Sequence, residues 1–444
     1  MVFSNKYDST TTFYYNGVPL KSVKTMLYLG FNFSYNGTMK SIINDRIEKS
    51  RKVALMVLNA LRTNKNISTS LAISVYEKQI APVLMYGCPI WAVPRYGNIL
   101  YIENQPEHIN VRNKLNEIFD ELFGTPLPFE YARRVGKLTA GQNRRIIIKM
   151  SNFDDKQKLL STNDSNYIFT NYEEKNASDT DKAYIDFCKR SLNISKYASN
   201  TATYFELGGK PIDNKMKSLA IKYWLRLAKG TENILLNQAY NESSVKGYEW
   251  VQGIKFILFK NGYGNVWHAP DTVDPLKFHK MFNGRLDDQF DQNIISKLST
   301  STRFEVLGNI IDNQVKLKRQ RYIDIIQSPK IRESFTRLRV DLNVLEGAKQ
   351  NQSKSPSEGV CINCTSNARE TPQHLLFVCS KFSAIREKYY SSLRVKDSGF
   401  NPNTMNDKDL LKYILDLRCP DDNIQGCCSL VRRIYDARVE LANI

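Results

Sequence analysis

Cys361-Ile362-Asn363-Cys364, followed by His374 and Cys379, has the spacing C-x2-C-x9-H-x4-C. Two cysteines on a tight knuckle, with a histidine and a cysteine about one helical turn apart, match the ligands of a tetrahedral zinc site. Four protein ligands leave no position for water, so such a site is structural rather than catalytic. The competing reading is four unrelated reduced side chains. Histidine is scarce, with four in 444 residues, and one of them lies in this box.

Before this knuckle, over 361–392, the stretch 347–360 reads as a linker, opening with Gly-Ala-Lys-Gln-Asn-Gln-Ser-Lys-Ser-Pro-Ser-Glu. Residues 393–444 read as a helical tail. Residues 161–346 are mainly helical in pattern, punctuated by Gly208-Gly209, Gly262, Pro270, Pro275 and Pro329, with a polar loop over 161–181. Residues 101–160 combine an amphipathic helix (Val111, Leu115, Ile118, Phe119, Leu122) with the branched strand Ile146-Ile147-Ile148 and a helix from Asp154. They read as a small α+β insert. Residues 41–100 begin with a helix over 41–62 that turns Ile43, Ile47, Ala54, Leu58 and Leu61 inward and Arg46, Lys49 and Arg51 elsewhere. A second helix spans 68–80 with Leu71, Val75 and Ile80 as core candidates, and Pro82 breaks the helical pattern beyond it. The run Leu84 to Trp91 is apolar and expected to be buried. Residues 1–40 carry two hairpin signals, Asn16-Gly17 and Asn36-Gly37. The opening Met-Val-Phe-Ser already reads as a strand, as if a domain were entered partway. The expected fold is mainly α, with a small β-hairpin piece, the α+β insert and the zinc knuckle.

The net charge is +18 and the pI about 9.4. A polyanionic partner is the simplest account, and nucleic acid the commonest. Eight cysteines in a chain of this length are no disulfide framework. With no signal-peptide core and no apolar run of membrane length, an intracellular, reducing location follows, in nucleus or cytoplasm, with no membrane partner. Cys88, Cys188, Cys419, Cys427 and Cys428 then read as reduced thiols.

Two segments concentrate cations. In 130–149, Arg133, Arg134, Lys137, Arg144, Arg145 and Lys149 stand against one acid, Glu130. Arginines beside an apolar strand can grip phosphates bidentately; the alternative is a solvated hairpin. In 314–339, Lys316, Lys318, Arg319, Arg321, Lys330, Arg332, Arg337 and Arg339 oppose only Asp324 and Glu333. A phosphate-tracking face and a solvated helix face are equally compatible with that pattern.

Four ordered blocks resemble non-LTR (LINE-type) retrotransposon reverse transcriptases. Tyr28-Leu29-Gly30, Gly37 and the helix Ile42-Ile-Asn-Asp-Arg-Ile-Glu-Lys-Ser-Arg51 resemble the end of the palm and start of the thumb. Tyr76, Pro82, Leu84-Met-Tyr-Gly87 and Trp91 resemble the thumb pattern. Phe187-Cys-Lys-Arg190, Ser199-Asn200 and Glu206-Leu-Gly208 resemble the following block. Arg337-Leu-Arg339, Glu370-Thr-Pro-Gln-His374, Cys379 and Arg386 resemble the cysteine–histidine end. The resemblance implies a primer-grip-like hairpin at Tyr28, Leu29 and Gly30, a palm remnant over 1–40, a thumb-like region over 41–100 and RNA or DNA as partner. A shorter resemblance links Arg133-Arg-Val-Gly-Lys137, Asn143-Arg-Arg-Ile-Ile-Ile-Lys149 and Asp154-Asp-Lys-Gln-Lys-Leu-Leu160 to the RNA-binding protein of the LINE first reading frame, with Arg144-Arg145 where that pattern has Arg-Pro.

Polymerisation requires aspartates holding two metal ions. In the family these come from a Tyr/Phe-x-Asp-Asp turn, and the chain contains none. Asp154-Asp155, Asp287-Asp288 and Asp421-Asp422 lie in other contexts. The expectation is a truncated, catalytically inactive C-terminal portion that binds RNA or DNA, with structural Zn2+ and no catalytic metal. The alternatives are a coopted helical protein-interaction protein and a non-functional retroelement relic. There is no nucleophile elbow and no phosphate-binding glycine loop.

Overall fold

The computed structural model describes residues 13–20, 23–28, 30–34, 40–63, 68–91, 99–102, 110–135, 144–151, 153–162, 169–171, 179–300, 304–311, 316–340, 359–361, 363–416 and 418–442. They are mostly helical, with short antiparallel strands. Two compact units divide the chain. One comprises Met1–Tyr86, Asp179–Ile212 and Asp287–Ile444; the other comprises Gly87–Ser178 and Asp213–Leu286. No helix among the described residues is long and apolar enough to cross a membrane.

The first unit opens with β1 (Phe13–Tyr15) and β2 (Val18–Leu20), an antiparallel pair. Asn16 and Gly17 turn it with φ of 49° and 76°, the doubly positive turn that matches strand twist. β3 (Thr25–Tyr28) and β4 (Phe31–Ser34) form a second pair in which Tyr28 faces Phe31, turning at Gly30 with φ 78°. The Asn36-Gly37 signal lies outside the described residues. α1 (Lys40–Thr63) buries Ile42, Ile47 and Leu58 against β4 and its helical neighbours. α2 (Thr69–Val75) is capped by Ser68 and runs through a wide π-turn, Tyr76–Ile80, into α3 (Ala81–Met85). Pro82 therefore does not end the helical path. It sits in the first turn of α3, where its missing N–H is no loss, and the wider turn before it absorbs the register change. Leu71 is 51 % exposed rather than core, and the core side of α2 is carried by Ala72 and Ile73.

In the second unit, after α4 (Cys88–Trp91), come β5 (Ile99–Ile102), α5 (Val111–Phe123), β6 (Phe129–Val135), β7 (Arg145–Met150), α6 (Phe153–Leu160) and β8 (Phe169–Asn171). Of the run expected to be buried, Leu84 and Cys88 are inside, while Tyr86 and Ile90 are about half exposed. The strands form one antiparallel sheet in the order β6-β7-β5-β8. With a helix in each crossover this is a β-α-β-β-α-β unit of split type. Asn110 caps α5 and Gly124 ends it in the left-handed region. Leu115, Ile118, Phe119 and Leu159 from the helices pack on Leu100, Ile102, Ile146, Ile148 and Met150, which all point to one face. β8 falls inside the segment expected as a polar loop: Phe169 and Thr170 are strand formers in a short run, and Phe169–Asn171 pairs with the edge of β5.

The remaining helices follow in order. α7 (Asp179–Ser191) and α8 (Asn200–Leu207) belong to the first unit, where Tyr76, Tyr184, Phe187 and Tyr204 form an aromatic cluster. α9 (Ile212–Ala228), α10 (Ile234–Val245), α11 (Glu249–Lys260), α12 (Gly264–His268) and the first half of α13 (Pro275–Thr300) make the helical part of the second unit. Its core is Trp224, Leu225, Ile254, Leu258, Phe278 and Phe282, with Trp267 stacked on Trp224 at 5.4 Å. Back in the first unit come α14 (Glu305–Ile310), α15 (Arg321–Ile325) and α16 (Pro329–Val340), then the cysteine–histidine segment. The chain finishes with α17 (Ser383–Lys396), α18 (Asp407–Leu415) and α19 (Asp421–Ala442). α19 packs on α15, α16, α17 and α18 and is the spine of this part of the unit.

Candidate metal centre and basic surfaces

Cys361, Cys364, His374 and Cys379 converge, with ligand atoms all within 4.8 Å of one another, so the group could hold a metal ion. Cys361 Sγ lies 3.9 Å from Cys379 Sγ, and Cys364 Sγ lies 3.4 Å from His374 Nε2. A tetrahedron with Zn–S about 2.3 Å and Zn–N about 2.0–2.1 Å has S–S edges of about 3.8 Å and S–N edges of about 3.5 Å. The donor set and its edges are therefore compatible with structural zinc. Cys361, His374 and Cys379 are buried and Cys364 is partly exposed. Burial pushes the Cys379 thiol up to about 12 and raises Cys361, whereas hydrogen bonds from Ser366 lower Cys364 to about 6. A cation bound here would hold all three as thiolates.

The backbone makes this convergence local. The Cys361 N–H donates to Ala368 O at 2.8 Å and the Glu370 N–H to Gly359 O at 2.9 Å, closing the knuckle around an isolated bridge, Val360 to Arg369. Thr371 Oγ1 accepts from the His374 N–H, and a π-turn, His374–Val378, brings the Cys379 N–H onto His374 O at 2.7 Å. That turn places His374 and Cys379 on one side. Around the ligands stands a buried polar shell. Glu370, fully buried, accepts both arms of Arg438 at 2.8 Å, and Asn363 Nδ2 at 3.2 Å. Arg386 Nη1 donates to Cys379 O at 2.7 Å. Arg438 lies on α19 and Arg386 on α17, so the knuckle is stapled to both helices. The role of Arg438 is invisible in the sequence, 59 positions beyond Cys379 with no motif to mark it.

The insert cations divide. Arg133 and Arg145 are exposed on β6 and β7. Arg134 Nη1 donates to Arg144 O at 3.3 Å, Lys149 pairs with Glu130 at 2.6 Å, and Lys137 lies outside the described residues. The 316–339 cations divide more sharply. Lys316, Lys318 and Lys330 are exposed. Arg319 Nη1 donates to Ser70 Oγ at 2.5 Å and to Asp324. Arg321 pairs with Asp421 and donates to Cys419 O at 3.2 Å. Arg332, buried, donates to Ile326 O at 2.7 Å. Arg339, also buried, binds Glu206 at 2.8 Å, Gln320 at 3.1 Å and Leu415 O, with Tyr322 OH donating to the same Glu206 at 2.8 Å. Much of this charge therefore organises the first unit from within, and the exposed cations are chiefly lysines.

Tyr28 is 56 % exposed at the end of β3, Gly30 makes the turn, and Leu29 lies outside the described residues. Arg46, which the periodicity of α1 places off the apolar face, is in fact buried. Its guanidinium donates to Gly30 O and lies 4.6 Å and 5.3 Å from the Tyr86 and Phe31 ring centres, which stack on each other at 5.1 Å. A flat cation can be buried against aromatic rings, which a hydrophobicity pattern does not register. The three Asp-Asp pairs sit on helices: Asp154 and Asp155 bind Lys255 and Lys158, Asp287 and Asp288 lie in α13, and Asp421 and Asp422 open α19.

No family model, no curated protein and no solved structure matches this chain.

Proposed function

We propose that this chain binds RNA or DNA without polymerising it, as a relative of the C-terminal part of LINE-type reverse transcriptases whose knuckle is held by structural zinc. The observation that carries the binding is the exposed pair Arg133 and Arg145 on adjacent strands, in a chain of net charge +18. Phosphate oxygens are the natural partners of such a cation pair. In this reading β1 to β4 correspond to the end of a palm and α1 to α4 to the start of a thumb. Zinc closes the knuckle, which Arg386 and Arg438 tie to α17 and α19, and takes no part in chemistry. The absence of a Tyr/Phe-x-Asp-Asp turn from the sequence supports a binding rather than a polymerising role.

The test is anisotropy of a fluorescent RNA at rising salt. Affinity should fall steeply between 50 and 200 mM, at about 0.7 logarithmic units per phosphate contact per tenfold salt. A salt-insensitive interaction, or magnesium-dependent primer extension by the purified chain, overturns the reading. One observation favours protein interaction instead: α10 buries none of its residues and exposes Ile234, Leu235 and Val245 at 72 %, 76 % and 88 %. Salt-insensitive capture of proteins, with no RNA bound, would establish that alternative.

A further inference from the structure

The four-stranded sheet has two faces of opposite character. Alternation along the strands sends Leu100, Ile102, Ile146, Ile148 and Met150 to the face covered by α5 and α6. The intervening positions point the other way. The register aligns Arg133, Ile147 and Tyr101 across β6, β7 and β5, with Thr170 of β8 beside Tyr101. One row along, Tyr131 faces Lys149, and in the row beyond Arg133, Val135 faces Arg145. Arg133 and Arg145 are exposed, Tyr131 is 39 % exposed, and the Arg145 guanidinium lies 5.7 Å from the Tyr101 ring centre. The face opposite the helices thus interleaves two tyrosines with Arg133 and Arg145 around a buried Ile147, while Lys149 is held by Glu130 at 2.6 Å.

We propose that this face binds single-stranded nucleic acid, with bases stacked on Tyr101 and Tyr131 and phosphates held by Arg133 and Arg145. The proposal rests on the nucleic-acid reading above and names its strand state and its surface. Charge complementarity selects a polyanion. The tyrosines select the single strand, because a ring can stack only on a base whose face is not already covered by its neighbours in a duplex. With strands about 4.8 Å apart and about 3.4 Å per residue along them, the two tyrosine Cα positions lie roughly 12 Å apart, so each ring takes a different base. The β-α-β-β-α-β topology suits this use, since both helices occupy one face of the sheet and leave Tyr131, Arg133 and Arg145 exposed on the other.

The experiment uses the full chain, a fluorescein-labelled single-stranded oligouridine, and a blunt RNA duplex of equal length. Single-strand affinity should exceed duplex affinity at least tenfold. Tyr101→Ala with Tyr131→Ala should weaken single-strand binding by about fivefold or more per ring while leaving the salt slope in place, and Tyr→Phe at both positions should retain it. Arg133→Gln with Arg145→Gln should instead flatten the salt slope by about 1.4. Ultraviolet crosslinking of 4-thiouridine RNA to the unmodified chain needs no variant. Crosslinked peptides should contain residues of β5, β6 or β7. Equal affinity for both RNAs, or crosslinks confined to other segments, overturns the sheet platform while leaving nucleic-acid binding intact. No binding of either RNA overturns both.

Discussion

Glu370 is a carboxylate with no exposed surface, and the guanidinium of Arg438 is what makes its burial tolerable. Removing one partner leaves the other charge uncompensated. Arg438→Met should therefore cost about 3–5 kcal/mol, and adding Glu370→Gln should recover part of that loss, read from urea denaturation midpoints. Equal losses in the single and double variants would show that the pair is not coupled. Lys156 poses the opposite problem. It has no exposed surface, lies 4.8 Å from the Phe256 ring centre, and burial, helped by Lys260, lowers its pKa from the ordinary 10.5 to about 7. Between these two values the folded chain binds fewer protons at this site than the unfolded chain, so the site's contribution to stability rises with pH. Below about pH 7 the cost of the buried charge is fully present and constant. Against Lys156→Met, the wild-type chain should gain about 1 kcal/mol or more per unit from pH 7 to pH 9, measured by urea denaturation at each pH. A difference that stays constant over that range refutes the assignment.

Between elements, close backbone approaches matter more than propensity. Gly208 ends α8 with φ 61°, and a Cβ there would lie 2.3 Å from Arg319 N and 2.5 Å from Lys318 C. Gly124 ends α5 with φ 69° and open space around it. Gly124→Ala should cost about 1–2 kcal/mol of left-handed strain. Gly208→Ala must also displace the segment at Lys318 and Arg319, and should lose at least twice as much by chemical denaturation; equal losses would refute the close approach. This difference shows where sequence reading stops. Period is enough for α1, period with caps for α5 from Asn110 to Gly124, and local composition for β7 and the Asn16-Gly17 turn, because those signals are local. The convergence of Cys361, Cys364, His374 and Cys379 is legible for the same reason, since the four lie within 19 residues. Pairings at long range are not. The partner of three-residue β8 is β5, about 70 positions earlier, and Arg339 looks like part of a basic surface until Glu206, 133 positions away, is placed beside it. Arg46 escapes the periodicity of α1 because its burial depends on Tyr86, which belongs to a later turn of the chain.

At the scale of the molecule, the candidate metal centre is the junction of three segments of the first unit. The knuckle contributes all four candidate ligands, α17 contributes Arg386 to the Cys379 carbonyl, and α19 contributes Arg438 to Glu370. α19 also packs on α15 and α16, which carry the Tyr322, Arg339 and Glu206 network. Three thiols and an imidazole this close, two of the thiols buried, are poorly solvated without a cation. Binding energy at such sites is also folding energy. Purified chain should therefore contain about one zinc, and Cys361→Ser with Cys364→Ser should abolish it. Chelation should remove hydrogen-exchange protection first from residues 363–382 and then from the Arg438 end of α19. α7 should keep its protection, because its aromatic partners Tyr76 and Tyr204 do not depend on the knuckle. Full zinc retention in the double variant removes the four-residue assignment. Loss of protection in α7 as early as in the knuckle would instead mean that the metal supports the whole unit rather than its C-terminal junction.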